Sequence, residues 1–215
     1  MARKRVAVLI SGRGSNMAAL VEAAKDSNYP AEIVLVVSNR PHAEGIAYAR
    51  RAGIATTIID HADYGKNRKA FEQALQAVLE GSGIEIVCLA GFMRLLTPWF
   101  IERWEGRLLN IHPALLPKFK GLHTHEQALA AGASSHGATV HFVTAEMDAG
   151  PTICQAAVPV LEGDTAQTLA ERVLAVEHKI YPLALKWLAE GKLRVVEGKC
   201  IIDNAPVPNG VTVPA

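Results

Sequence analysis

The sequence predicts an α/β fold: a Rossmann-like, doubly wound, mostly parallel sheet with a C-terminal antiparallel extension and a long C-terminal helix. Through the first half, short β-branched runs alternate with segments of helical period, the order that a parallel sheet with crossover helices requires. After Gly106 extended segments follow one another instead, and a long amphipathic stretch from Thr165 to Ala189 then closes the pattern.

The expected strands of the first half are Arg5 to Ile10, Glu32 to Val37, Thr56 to Ile59 and Glu85 to Leu89. Helices are expected over Asn16 to Lys25, His42 to Ala52 and Lys66 to Leu79, each opening or closing near Gly, Pro, Asn or Ser. Strands Arg107 to His112, Ala138 to Thr144 and Thr152 to Val160 follow, with a short helix from Glu126 to Ala131. Pro182 should break or kink the long helix. The tail from Asp203 holds Pro206, Pro208 and Pro214 and has no helical period. The economical reading is one domain over residues 1–215: a phosphate- and nucleotide-binding half, 1–105, a catalytic half, 106–200, and a tail, 203–215, with the later strands extending the same sheet.

Half of the 215 residues are apolar and a fifth are charged, enough for one substantial core. Lys and Arg number 22 against 21 Asp and Glu, a net charge of +1 that gives no global attraction to nucleic acid or an anionic membrane. Cys88, Cys154 and Cys200 stand far apart, so neither a disulfide framework nor a cysteine zinc site is expected, and a reducing, cytoplasmic setting fits. The opening MARKRVAVLI has an apolar run too short for a signal peptide and reads as a first strand, and no stretch is apolar enough to span a bilayer.

Three segments carry chemistry. The turn SGRGSN, Ser11 to Asn16, lies between a strand and a helix start, where backbone N–H groups face an anion or simply form a tight turn. A dinucleotide fingerprint needs a third glycine where Met17 stands and an acid after the second strand, where Ser38, Asn39 and Arg40 stand; NAD is disfavoured, while Arg40 leaves NADP open. In LLNIHPALLPKFKGLHTH, Asn110 and His112 share one face of an extended segment that Pro113 ends, as site residues or as hydrogen-bonded turn formers. In HFVTAEMDAGPT, Glu146 and Asp148 occupy a loop, and Asp148 is placed to orient His112 and relay a proton if the two meet. His123, His125, His136 and His141 have neither cysteine partners nor His-Glu-x-x-His spacing, so no metal is expected. Lys66 and Arg68 read as a solvated basic helix start, and Glu177 and His178 as surface residues unless their helix borders the pocket.

Taken together, SGRGSN, LAGFMRLL, NIHPALLPKFKGLHTH and HFVTAEMDAGP occur in the order and spacing of the folate-dependent formyltransferases, which the chain resembles from Val6 to about Leu193. The phosphate turn, the GLHTH extension and the lack of an appended tRNA-binding or regulatory domain make it most similar to those acting on phosphoribosylglycinamide. The resemblance implies transfer of a formyl group from N10-formyltetrahydrofolate to the glycinamide amine of a ribonucleotide in purine synthesis. It implies a catalytic centre of Asn110, His112 and Asp148, and ribonucleotide contacts from Gly14, Ser15, Asn16 and Glu177. For the folate it implies Arg68, the wall Met93, Arg94, Leu95 and Leu96, Asn110, and the loop Thr144, Ala145, Glu146, Met147 and Asp148. Partners should be small molecules, with no metal, nucleic acid or membrane, and the protein a monomer or weak homodimer. Arg13 stands where the family's turn often has a small polar residue, and Ala145 where its folate loop usually has an acid, which puts one folate contact in doubt. The alternatives are a formyltetrahydrofolate hydrolase on the same scaffold and an NADP-binding reductase.

Overall fold

A computed structural model describes residues 2–207 and 210–214. The chain folds as two compact units, Met1–Leu109 and Asn110–Ala215.

In the first unit, β1 (Lys4–Ile10) carries five successive buried residues, Val6 to Ile10, as a strand covered on both faces must. It pairs in parallel with β2 (Ala31–Ser38) and β4 (Ile86–Leu89), and β2 pairs in parallel with β3 (Ala55–Ile58). Helices α1 (Ser15–Ala23), α2 (Glu44–Arg51) and α3 (Arg68–Gly81) lie between successive strands. The order β4-β1-β2-β3 means that the chain steps outward from β1 to β3 and then returns to the other side of β1. Ligand crevices of doubly wound sheets form beyond the strand ends at such a reversal. Two elements escape the sequence pattern: a 3-10 turn, His61–Tyr64, and α4 (Pro98–Arg103). α4 is held at its start by the buried Glu72 of α3, whose carboxylate accepts hydrogen bonds from the Thr97 backbone N–H at 2.6 Å and from the Thr97 hydroxyl.

The second unit has the strand order β11-β7-β6-β5. β5 (Leu108–His112) ends in this unit; β6 (Ser135–Phe142) runs antiparallel to β7 (Thr152–Pro159), with α5 (Thr124–Ala130) before them. A second antiparallel sheet, β8 (Leu193–Val196), β9 (Lys199–Ile202) and β10 (Ala205–Pro206), completes the expected C-terminal extension. The tail does not stay irregular: β11 (Val211–Thr212) pairs in parallel with β7, and the Val213 N–H donates to the Gln155 carbonyl at 2.8 Å. Pro208 lies outside the described residues.

The long helix α6 (Ala166–Ala189) runs on through Pro182, so the expected break does not occur. Proline removes one ladder hydrogen bond. Burial of Ile180, Tyr181, Ala184 and Leu185 on either side offsets that loss, and Thr165 and Thr168 form a reciprocal cap at the N-terminus.

Candidate active site

In the first unit, the turn after β1 and the segment after β4 enclose a cavity of about 280 Å³ at the β1/β4 reversal. Gly14, Ser15 and Asn16 line it together with Arg40, Gly91 and Met93. Gly14 has φ +76°, and a Cβ there would lie 3.0 Å from the Cα of Gly45 on α2, so both backbone conformation and close approach require glycine. Ser11, buried at the turn's start, donates to Asn39 Oδ1 at 2.5 Å and accepts from the Met93 N–H at 2.8 Å. One hydroxyl thereby fixes the turn against the ends of β2 and β4.

Met93 and Leu95 are large apolar side chains left more than half exposed. Arg94 does not join that wall as an apolar element: its guanidinium lies 4.8 Å from the centroid of the Phe71 ring, which Phe92 stacks against. Arg68 is exposed at the start of α3, three residues from Phe71, so it lies at the same end of that helix as the Phe92–Arg94 cluster.

In the second unit, Asn110, His112 and Asp148 come together, with a fourth residue that the sequence reading considered only as a metal ligand. His112 is 5% exposed; its Nε2 donates to the Phe119 carbonyl at 2.9 Å, and its Nδ1 lies 3.5 Å from Asp148 Oδ2. The Gly121 N–H donates to the same carboxylate oxygen at 2.9 Å. Asp148 has φ +50°. The additional residue is His141, at the end of β6. Its Nδ1–H donates to the Phe142 carbonyl at 2.9 Å, which leaves Nε2 as an acceptor, 3.2 Å from Asn110 Nδ2. Burial pushes the His141 imidazole below its ordinary pKa, with the Phe142 bond and the Asp148 charge opposing, so the lone pair on Nε2 is preserved. The Asn110 amide is thereby held with its nitrogen toward His141, and one Nδ2–H remains to point elsewhere.

The loop from Thr144 to Asp148 is anchored at both ends. Thr144 Oγ1 donates to the Glu146 carbonyl at 3.2 Å, Lys120 pairs with Glu146 at 3.3 Å, and the Phe142 N–H donates to the Pro151 carbonyl at 3.0 Å. A Cβ on Gly150 would sit 1.7 Å from the Phe142 carbonyl oxygen, so no other residue fits this crossing. Ala145 and Met147 are exposed. Glu177 is 6% exposed on the buried face of α6, which corrects its reading as a surface residue; His178 is half-buried, and burial depresses its pKa.

Among the described residues no group of three or more His, Cys, Asp or Glu side chains is arranged to hold a metal ion, and no helix is long and apolar enough to cross a membrane. The cysteines are buried without a disulfide among the described residues; burial pushes the thiols of Cys154 and Cys200 up to about 12 and about 11, which removes them as nucleophiles at neutral pH.

The chain belongs to the formyl transferase family, whose profile matches residues 4–185. It is 46% identical over 204 residues to the phosphoribosylglycinamide formyltransferase of Escherichia coli strain K12, covering 94% of this chain and 95% of that one. It is 52% identical over 195 residues to the human trifunctional purine biosynthetic protein adenosine-3, covering 91% of this chain but spanning only 19% of that relative's length. The solved phosphoribosylglycinamide formyltransferase of Coxiella burnetii, in complex with CHES, superposes with a TM-score of 0.94 at 43% identity, over 99% of this chain and all of that one.

Proposed function

We propose that the protein is a formyltransferase that moves the formyl group of N10-formyltetrahydrofolate to the amine of phosphoribosylglycinamide, giving the formylated ribonucleotide and tetrahydrofolate. The observation that carries this reading, beside family membership, is the Asn110 amide held by a neutral His141 next to the His112–Asp148 pair.

The amine nitrogen forms a bond to the formyl carbon while the carbonyl pair moves onto oxygen; collapse then breaks the bond to folate N10. The oxyanion takes the remaining Asn110 Nδ2–H and a proton on His112 Nδ1, the Nε2–H staying on the Phe119 carbonyl, and the orientation of the amide is set before the charge develops. Asp148, whose Oδ2 is held by Gly121, accepts the proton that the amine loses and returns it, directly or through water, toward N10. Gly14, Ser15 and Asn16 take the phosphate on backbone and hydroxyl donors, and Glu177 takes ribose hydroxyls. Met93, Leu95 and Leu96, with the backbone of Arg94, supply the pterin slot, Thr144 to Asp148 flank it, and Arg68 meets the acidic tail of the folate. The substrates are small molecules, the setting the cytoplasm, and the assembly a monomer or weak homodimer.

The test is turnover by Asn110→Ala, His112→Ala and Asp148→Ala, each expected to lose more than roughly tenfold in kcat with circular dichroism unchanged. Near-normal kcat in all three would overturn the assignment.

A further inference from the structure

A second cavity of about 550 Å³ opens beside the phosphate turn, at the C-terminal ends of β1, β2 and β3. Its wall toward the first cavity is shared: Ser11, Gly12, Arg13 and Arg40 line both. The proposed formyl transfer has no use for this space, and Arg13 and Arg40 are the two basic residues of the region that the family motif does not account for.

The guanidiniums of Arg13 and Arg40 make no hydrogen bond or ion pair among the described residues. Two carboxylates, Glu44 and Asp60, line the same cavity yet neither closes an ion pair with them, so the arginines stand on the shared wall and the carboxylates, with His42 and His61, line the remainder. The acidic part is built: Asp60 accepts the Ala62 N–H at 2.9 Å and lies 3.7 Å from His61 Nδ1, which donates to the Asn39 carbonyl at 2.8 Å. A ligand matching this distribution is anionic at one end and rich in hydroxyl donors at the other, and the volume lies within the roughly 300–1,000 Å³ of small-molecule sites.

We infer that the cavity is a second nucleotide site, which takes a nucleoside 5′-diphosphate group. The diphosphate lies along the shared wall between Arg13 and Arg40, where two planar guanidiniums each offer paired donors to phosphate oxygens. The ribose hydroxyls donate to Asp60 and Glu44, which line the rest of the cavity. A diphosphate offers oxygens to both guanidiniums where a monophosphate offers one phosphate group, so the second phosphate should decide affinity. The inference does not depend on formyl transfer, because binding needs neither folate nor turnover.

The experiment is calorimetric titration of the full chain with ADP, AMP, adenosine and NADPH, repeated on Arg40→Ala and on Arg13→Ala/Arg40→Ala. ADP is expected to bind with a Kd below about 1 mM and at least about tenfold more tightly than AMP, adenosine to bind undetectably, and the double variant to lose the preference for ADP. Tighter binding of NADPH than of ADP would identify a dinucleotide as the source of the group, and the reverse a mononucleotide; either supports the site. Equal affinity for ADP and AMP, no binding of ADP, or a double variant that keeps the preference would each overturn it. Both arginines are exposed, so the variants should fold, and the contrast between ADP and AMP on the unmodified chain stands without them.

Discussion

His136 provides a stability test whose size follows from its surroundings. It sits in β6 with no solvent exposure, and neither ring nitrogen has a hydrogen-bond partner. The ring packs edge-on against Phe119 at 5.7 Å and His125 at 5.2 Å, so it serves as a flat apolar plate. Burial, with the His125 and His112 charges adding to it and the Pro113 backbone opposing, pushes its pKa down to about 4, from an ordinary value near 6.5. The sign follows: below pH 6.5 the unfolded chain takes up a proton that the folded chain refuses until about pH 4, so stability falls with pH across that window and the loss levels off below it. Between pH 7.5 and 4.5 this one group removes about 2.5 kcal/mol. His125, His141 and His178 are depressed in the same direction, so the whole protein should lose more. His136→Phe keeps the plate and removes the titration. Urea unfolding of both forms at pH 7.5 and 4.5 should therefore show the variant losing about 2.5 kcal/mol less than the parent over the interval, whatever constant offset the larger ring adds. Equal losses would refute the claim that His136 is folded as an unpartnered neutral ring.

Three further outcomes follow from the same geometry. His141→Phe should lower kcat at least roughly tenfold while leaving KM for both substrates within about threefold, because it frees the Asn110 amide to rotate without touching either substrate; His141→Gln, which keeps an acceptor, should recover part of the loss, and a variant that instead raised KM would mark His141 as a binding residue. Gly150→Ala should destabilise by about 2 kcal/mol or more in urea titrations, since backbone at the Phe142 crossing must move to admit the methyl; an unchanged midpoint would contradict that crossing. Glu177→Gln should raise KM for the ribonucleotide by roughly tenfold and leave KM for the folate unchanged, and equal effects on both would remove Glu177 from the ribose site.

Strands β1 to β7 were legible because each is a run of apolar, β-branched residues bounded by turn signals, and the longer helices because their apolar faces recur at the right period; β8 to β11, two to four residues each, are too short to show a pattern. α4 was not: six residues opening on Pro98 are too short to show a period, and the capping acid Glu72 looks like any polar residue of a helix surface. Pro182 does not end the helix because the rule for proline counts one lost hydrogen bond and omits the burial around it. At the site, Asn110 and His112 were found from their shared face on an extended strand, and Asp148 from its chemistry. His141 was not assigned its positioning role, because the register shift between Val140 and His141 breaks the alternation that would have put it on the face of Asn110. From the residues alone Glu177 reads as a surface acid unless its helix borders the pocket, and only the packed fold shows it buried.

The most direct test of the account is the turnover of N10-formyltetrahydrofolate by the purified protein, followed by folate absorbance with and without phosphoribosylglycinamide. The account predicts folate conversion only when the ribonucleotide is present, with one formylated ribonucleotide formed per folate consumed. Formate release at the same rate without the ribonucleotide, or no conversion under either condition, would contradict it.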